Sequence, residues 1–331
     1  MSIVVVTDHI FAGLDREREF AERYGAEFRS RQCVTEEETI DAVRGANIVF
    51  VNFAPITPAV LDALAPGAVV IRYGVGWDNV DIEAANALGV SVCNVPDYGT
   101  TTVADHAVSL ILMLLRRLHQ FNEVISGGSW LKPADQAPIL EFSEVTIGLF
   151  GTGRIGFTVA ERLRGFGFTL VAYDPFADKD RLRDFGIEQV ELDEFWRRSN
   201  LVTLHAPATP ETYQAVNAES IAKMPQGAYI VNTARGALVD LDAVVDGLRS
   251  GKLAGVGLDV FDPEPLPEQH PIRSISGAIL TPHAAFYSES SMQKLQSLAV
   301  EEAERAQTGA ELRCRVNNPR PTAGLSEGAV A

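Results

Sequence analysis

Between residues 145 and 163 an apolar run, Val145-Thr-Ile-Gly-Leu-Phe150, passes directly into Gly151-Thr-Gly153-Arg154-Ile155-Gly156. A helical pattern carrying Ile155, Val159 and Leu163 follows at once. Glycines at this spacing, between a strand and a helix, open a βαβ unit. The first allows the tight turn, the second lets the backbone approach a diphosphate, and the third lets helix and strand pack, with the positive helix end facing the anion. The same glycines without that context also make ordinary loops. Here the next apolar run, Leu170-Val-Ala-Tyr-Asp174, ends on a carboxylate placed to accept the ribose hydroxyls of a dinucleotide and to repel a 2′-phosphate. Pro175 follows it, not Arg or Lys, which favours NAD over NADP. A turn-forming Asp-Pro pair is the plainer alternative for Asp174.

The rest of the chain repeats the strand–helix alternation. Continuous apolar runs at Ile3 to Thr7, Ala46 to Phe53, Ala68 to Tyr73 and Val90 to Val95 predict parallel strands covered on both faces. Thr35 followed by Glu38 is a capping box, and Gly45 sits where that helix needs its C-cap. A long helix is predicted over Asp105 to Ile125, with its apolar stripe on Val108, Ile111, Leu112, Leu115 and Leu118. Past a Pro-rich, acidic stretch from Lys132 to Glu144, a second strand series is predicted. Its members are Thr146 to Phe150, Leu170 to Tyr173, Leu201 to Leu204, Tyr229 to Asn232, Gly255 to Val260 and Ala278 to Leu280. A final helix, Glu289 to Ala306 with Met292, Leu295 and Leu298 on one side, is expected to cross back and cover the first domain. The tail from Pro319 is poor in apolar residues and is expected to be disordered.

The 331 residues, 46% hydrophobic, suffice for two cored domains. Cys33, Cys93 and Cys314 form no CxxC pair and have no neighbouring His at metal-ligand spacing, so reduced thiols in the cytoplasm and no metal are expected. The apolar run Val108 to Leu115 is far shorter than the roughly 20 residues that span a bilayer. A net charge of −16 disfavours direct nucleic-acid binding.

The second half resembles the D-isomer-specific 2-hydroxyacid dehydrogenases. Beside the glycine loop, the matching segments are Leu204-His205-Ala206-Pro207, Val231-Asn-Thr233-Ala234-Arg235-Gly236, Leu258-Asp259-Val-Phe-Asp-Pro-Glu264-Pro265 and Thr281-Pro-His283-Ala284. Arg72-Tyr73-Gly74-Val75-Gly76-Trp-Asp-Asn79, Asn94-Val-Pro and Gly128-Ser-Trp130 extend the match over nearly the whole chain. Within the family, Pro282-His-Ala-Ala-Phe286-Tyr-Ser-Glu289 looks closest to the C-terminal-binding-protein branch. Two positions depart from that branch: Phe286 stands where its members carry Trp, and Asp97 to Thr102 differs.

The resemblance implies hydride transfer between NAD and C2 of a small 2-hydroxy or 2-oxo acid. For such a substrate a planar, permanently charged fork is the natural carboxylate clamp, and Arg235 supplies it. His283 is the acid for reduction and the base for oxidation, while Glu264 bonds its far ring nitrogen, fixing the tautomer and favouring the imidazolium. Taken singly, each admits a plainer role: a surface salt bridge, a solvated turn, a structural histidine. Formate dehydrogenases, by the same resemblance, carry Gln in place of Glu264, which speaks against formate.

Further positions follow by matching. Tyr73, Gly74, Val75 and Gly76 resemble the loop whose backbone amides receive the substrate carboxylate, a plain strand-to-helix turn being the alternative. Phe286 is a substrate neighbour. Val103 lies near nicotinamide in relatives, as does Asp105. His205 to Pro207 closes over the cofactor, with His205 expected to pack instead of exchanging protons. Thr212 touches phosphate, Thr233 and Ala234 line the cofactor, and Asp259 holds the nicotinamide amide. Trp130 matches an arm that reaches a partner subunit, implying a homodimer, although core burial would explain a Trp equally well.

The expected architecture is α/β: two Rossmann- or flavodoxin-like domains with parallel sheets, the NAD domain (105–285) inserted into a substrate domain built from 1–104 and 286–331, with the active site in the cleft. The competing functions are an NADH-sensing, corepressor-like dimeric scaffold and a small-anion dehydrogenase of the phosphite type.

Overall fold

The computed structural model describes residues 1–132 and 138–319. Part of the Pro-rich stretch, and the tail beyond Pro319, lie outside the described residues. The chain divides into two compact units, Met1–Gly99 with Ser288–Ala331, and Thr100–Tyr287.

The first unit holds a five-stranded sheet of β1 (Ile3–Val6), β2 (Glu27–Ser30), β3 (Ile48–Val51), β4 (Val69–Arg72) and β5 (Ser91–Cys93), in the order β2-β1-β3-β4-β5. Every pair is parallel. The central strands are buried on both faces because helices cover each side, which is why their sequences read as unbroken apolar runs. β2 was not expected. It is an edge strand, Glu-Phe-Arg-Ser, with no fully buried residue and hence no apolar run to mark it. Thr35 and Glu38 form the capping box, and Gly45 takes the left-handed conformation at φ 71°. The helix Glu289–Thr308 lays Leu295, Ala299 and Ala303 against Val4, Phe20, Phe50 and Ile71, closing one face of this sheet.

The second unit holds β6 (Thr146–Phe150), β7 (Thr169–Tyr173), β8 (Glu188–Gln189), β9 (Leu201–Leu204), β10 (Ala228–Asn232), β11 (Leu253–Leu258) and β12 (Ala278–Leu280). Their order is β12-β11-β10-β9-β6-β7-β8, again with every pair parallel. The connection order reverses between β6 and β9, and at such a switch point the strand ends leave a crevice for a ligand. β8 is a second polar edge strand that gave no apolar signal.

The helix expected at Asp105 starts at Thr100 and ends at Leu115; a second helix, Leu118–Ser126, follows. Arg117 between them sits at φ 51°, a left-handed residue that no helix can include. The buried face also differs from the expected stripe. It is Val103, Ala104, Ala107, Leu110, Ile111, Leu114 and Leu115, so Ile111 and Leu115 of the expected stripe are buried, while Val108 and Leu112 are half-buried and Leu118 is exposed. Small residues decide this: a Cβ on Gly257 would stand 3.1 Å from Leu110 Cβ, so β11 yields the space into which Leu110 packs. Among the described residues no helix is long and apolar enough to cross a membrane.

Candidate active site

The glycine loop leaves β6 and enters the helix Arg154–Leu163. Gly151 has φ 91°, and a Cβ there would lie 2.9 Å from Ala206 N, so both its conformation and its contact with the segment after β9 require glycine. A Cβ on Gly156 would stand 2.2 Å from Gly151 O. Gly153 has nothing within 4 Å of that position. Two glycines are therefore demanded by the protein itself, and the third faces open space of the kind a diphosphate fills. The helix that Gly153 caps has no side-chain cap, so its first amides stay available to an anion. Arg154 is exposed and Ile155 half-buried beside them.

Asp174, at the end of β7, is anchored on both oxygens. Oδ2 accepts from the amide and the hydroxyl of Thr152, 2.8 Å each, and Oδ1 accepts from the amide of Phe176 at 2.9 Å. Thr152, which the sequence reading passed over, thereby ties the glycine loop to the acid. These groups fit NAD: open space over Gly153, a helix N-terminus with no side-chain cap, and a carboxylate at the end of the following strand.

The other positions matched to cofactor binding are mostly placed by backbone. His205 donates its amide to Phe150 O at 2.8 Å, bringing Ala206 against the glycine loop. Its ring pairs with Thr203 Oγ1 at 2.9 Å, and desolvation pushes the imidazole down to about 3, so it stays neutral and packs. Thr212 Oγ1 donates to Pro207 O at 2.7 Å and accepts from Thr209 N at 2.8 Å, closing the loop after Pro207. Thr233 is buried after β10, Ala234 donates its amide to Asn232 Oδ1, and Val103 is buried in the Thr100–Leu115 helix. Asp105, on the outer side of that helix, accepts from Arg162 Nε at 2.8 Å.

Three side chains meet beyond the ends of β10, β11 and β12. Glu264 Oε2 lies 2.8 Å from His283 Nδ1, and its Oε1 accepts the Phe261 amide at 2.8 Å. Burial raises the Glu264 carboxyl, but the bonds from His283 and Phe261 and the charges of His283 and Arg235 outweigh it and hold the group below the usual glutamate value. Arg235 is brought there by Gly236, whose Cβ would clash at 2.0 Å with the Phe261 carbonyl carbon. Only glycine lets the Arg235 turn lie on the segment that carries Glu264. Both His283 and Glu264 expose about a third of their side chains, 36% and 35%, so the pair is open to a reactant. Phe286 stands edge-on to the imidazole, ring centres 6.0 Å apart.

Asp259 is fully buried at the end of β11. It accepts from the Thr281 hydroxyl and the amides of Ala284 and Ala285, so its carboxylate holds the loop on which His283 is mounted.

In the first unit, Tyr73 is committed to the core through its ring and to the sheet through its amide, which was expected among the amides receiving the substrate carboxylate. The ring is 1% exposed, packs on Phe50 and Phe11, and donates its hydroxyl to the buried Glu17 at 2.8 Å, while its amide donates to Val51 O at 2.8 Å. The Gly74 amide donates to Arg72 O. Among the described residues the Val75 and Gly76 amides have no acceptor.

The model of the "D-isomer specific 2-hydroxyacid dehydrogenase, NAD binding domain" family matches residues 108–285. The chain belongs to the D-isomer-specific 2-hydroxyacid dehydrogenase family. It is 35% identical over 249 residues to a glyoxylate reductase of Korarchaeum cryptofilum, covering 75% of each chain. A hydroxypyruvate reductase of Blautia hydrogenotrophica is 33% identical over 81% of this chain and 84% of its own. The solved structure of a D-lactate dehydrogenase from Aquifex aeolicus, complexed with NAD and lactic acid, superposes with a TM-score of 0.83 at 26% identity, covering 96% of this chain and 100% of that one. The chain is thus an NAD-dependent D-2-hydroxyacid dehydrogenase.

Proposed function

We propose that this 2-hydroxyacid dehydrogenase reduces a short 2-oxo acid, of the glyoxylate or hydroxypyruvate class, with His283 as proton donor, Glu264 as its orienting carboxylate and Arg235 as the clamp for the substrate carboxylate. The observation that carries this reading is the 2.8 Å bond between Glu264 and His283 Nδ1. It commits Nδ1 to the carboxylate and leaves Nε2 as the nitrogen that exchanges a proton. When bound, NADH supplies the hydride that reaches C2 of the substrate. His283 Nε2 gives its proton to the former carbonyl oxygen, the product leaves as the 2-hydroxy acid, and oxidation runs the same transfers backwards. Arg235 holds the adjacent carboxylate through parallel hydrogen bonds, which orients C2. Phe286 borders the imidazole, and Val103, His205 to Pro207, Thr212, Thr233 and Ala234 line the cofactor.

The protein works as a homodimer in this reading. The helix Leu118–Ser126 has no buried residue, and Leu118, Ile125 and Trp130 are 52%, 50% and 87% exposed, apolar area that a second copy would cover. Three free cysteines, two of them buried, accord with the reducing cytoplasm.

A panel of 2-oxo acids assayed with NADH and NADPH, on protein whose mass in solution has been measured, tests the reading. Turnover of a short 2-oxo acid with NADH by a dimer is the expected result. Tight NADH binding that alters the oligomer, with no oxo acid reduced, would replace it with a dinucleotide sensor.

A further inference from the structure

We propose that Thr281 and His106 are positioning residues for the His283 imidazole, acting through the buried Asp259 carboxylate. This rests on the reading of His283 as the proton donor.

His283 adopts φ 52°, a left-handed conformation that is unfavourable for a side-chain-bearing residue and persists only where surrounding bonds enforce it. Those bonds converge on one residue. The His283 amide donates to the main-chain oxygen of Asp259 at 2.8 Å and to Thr281 O at 3.1 Å. The next two amides, of Ala284 and Ala285, donate to Asp259 Oδ1 and Oδ2 at 2.9 Å each. The segment from Thr281 to Ala285 is therefore wound around Asp259, and the direction in which the imidazole leaves the backbone is set by that winding.

A carboxylate turns about two side-chain bonds, so it fixes a loop only as well as it is itself fixed. The Thr281 hydroxyl supplies that restraint by donating to Asp259 Oδ1. A hydroxyl has one proton, and this bond uses it. The 3.1 Å contact of Thr281 Oγ1 with His106 Nε2 must then run the other way, with the ring N–H as donor. His106 Nε2 also stands 3.8 Å from Asp259 Oδ1. His106 belongs to the Thr100–Leu115 helix, which packs in the core of the same unit through Ala104, Ala107 and Ile111. The line His106 to Thr281 to Asp259 thus ties the His283 loop to a rigid element. Asp259 is fully buried, so no water replaces a donor that is removed.

The test is a set of variants, Thr281→Val, Thr281→Ser and His106→Phe, made in the wild type and in His283→Gln. Single-turnover NADH oxidation, KM for the best 2-oxo acid and the Kd of NADH are measured in each. Thr281→Val is expected to slow the chemical step roughly ten- to hundredfold, the scale of a small misplacement of a reacting group, with KM and Kd within about twofold. Thr281→Ser should restore the rate, because it returns the hydroxyl, and a methyl-packing role would not predict that. His106→Phe should slow the step less, and it carries the test alone if Thr281→Val fails to fold. In His283→Gln, Thr281→Val should add no further loss, since a group acting only through His283 has nothing left to act on. Losses that multiply in that background, a weakened NADH Kd with an intact chemical step, or wild-type rates in both Thr281→Val and His106→Phe overturn the proposal. His283→Gln alone at full rate overturns the acid–base reading itself, and that single variant reveals it.

Discussion

Thr152 donates twice to one oxygen of Asp174, through its amide and through its hydroxyl, both at 2.8 Å. The acid proposed to discriminate between cofactors is therefore also part of the scaffold of the glycine loop. Asp174→Ala should lose on both counts. NADH affinity should fall about ten- to hundredfold, narrowing the gap to NADPH, and the cofactor-free protein should lose about 1 to 3 kcal/mol of stability as its bonds to Thr152 and Phe176 disappear. Titration of both cofactors and a denaturant melt without ligand check the two parts. A variant that keeps its stability while losing NADH would show that the loop does not depend on Asp174.

The glycines of the same loop separate packing from binding. Gly156→Ala places a Cβ 2.2 Å from Gly151 O and should destabilise the unliganded protein by about 1 to 3 kcal/mol. Gly153→Ala meets nothing within 4 Å and should leave the melting temperature within a degree or two, yet weaken NADH at least tenfold by filling the space a diphosphate needs. Equal behaviour of the two variants would contradict this division.

Arg235→Lys keeps the charge and loses the fork. Its kcat/KM on the best 2-oxo acid should drop by about 1.5 to 3 kcal/mol of transition-state binding, roughly ten- to 150-fold, with NADH affinity unchanged. Wild-type kcat/KM in this variant would remove Arg235 from the carboxylate site.

Glu264→Gln keeps shape and removes a charge held below its ordinary range. Without the carboxylate the imidazolium loses an attractive partner, so reductive activity should decline at lower pH than in the wild type, and oxidation should persist to lower pH. Stability carries its own sign. A carboxylate whose value is lower when folded stabilises the fold above its unfolded value of about 4.5, and that contribution disappears as pH falls through the folded value. The stability gap between wild type and Glu264→Gln should be present near neutrality and close in acid. Superimposable pH–rate profiles would mean that Glu264 does not act on His283.

The sheets were legible where burial writes a continuous apolar run. Thr146 to Phe150, Leu201 to Leu204 and Ala278 to Leu280 were bounded to the residue. The polar edge strands Glu27–Ser30 and Glu188–Gln189 leave no such trace and were missed, because their pairing is a matter of backbone bonds with little side-chain burial, whereas the edge strand Ala278–Leu280 is apolar and was read. The helix break at Arg117 had no proline or glycine to announce it. In the site, the residues proposed to react stood out by type and order, since Arg, Glu and His each suit one task. Residues that hold them were not. Thr152, Gly236 and Thr281 act through single bonds or close approaches across the fold, which spacing along the chain does not encode. Tyr73 shows the converse: a residue in the expected loop whose side chain turned inward to Glu17.

The cover that the helix Glu289–Thr308 places on Val4, Phe20, Phe50 and Ile71 has a consequence for biosynthesis. A ribosome makes the strands of the first sheet at the outset and this helix only after residues 100–287, which form a unit of their own, have been added. The unit begun first is thus completed last. During that interval an aliphatic and aromatic surface of the nascent chain stands open, while the intervening unit already has every strand of its own sheet. Nascent chains stalled before residue 289 should accordingly present that surface to a trigger-type chaperone, and release of the full-length chain should withdraw it.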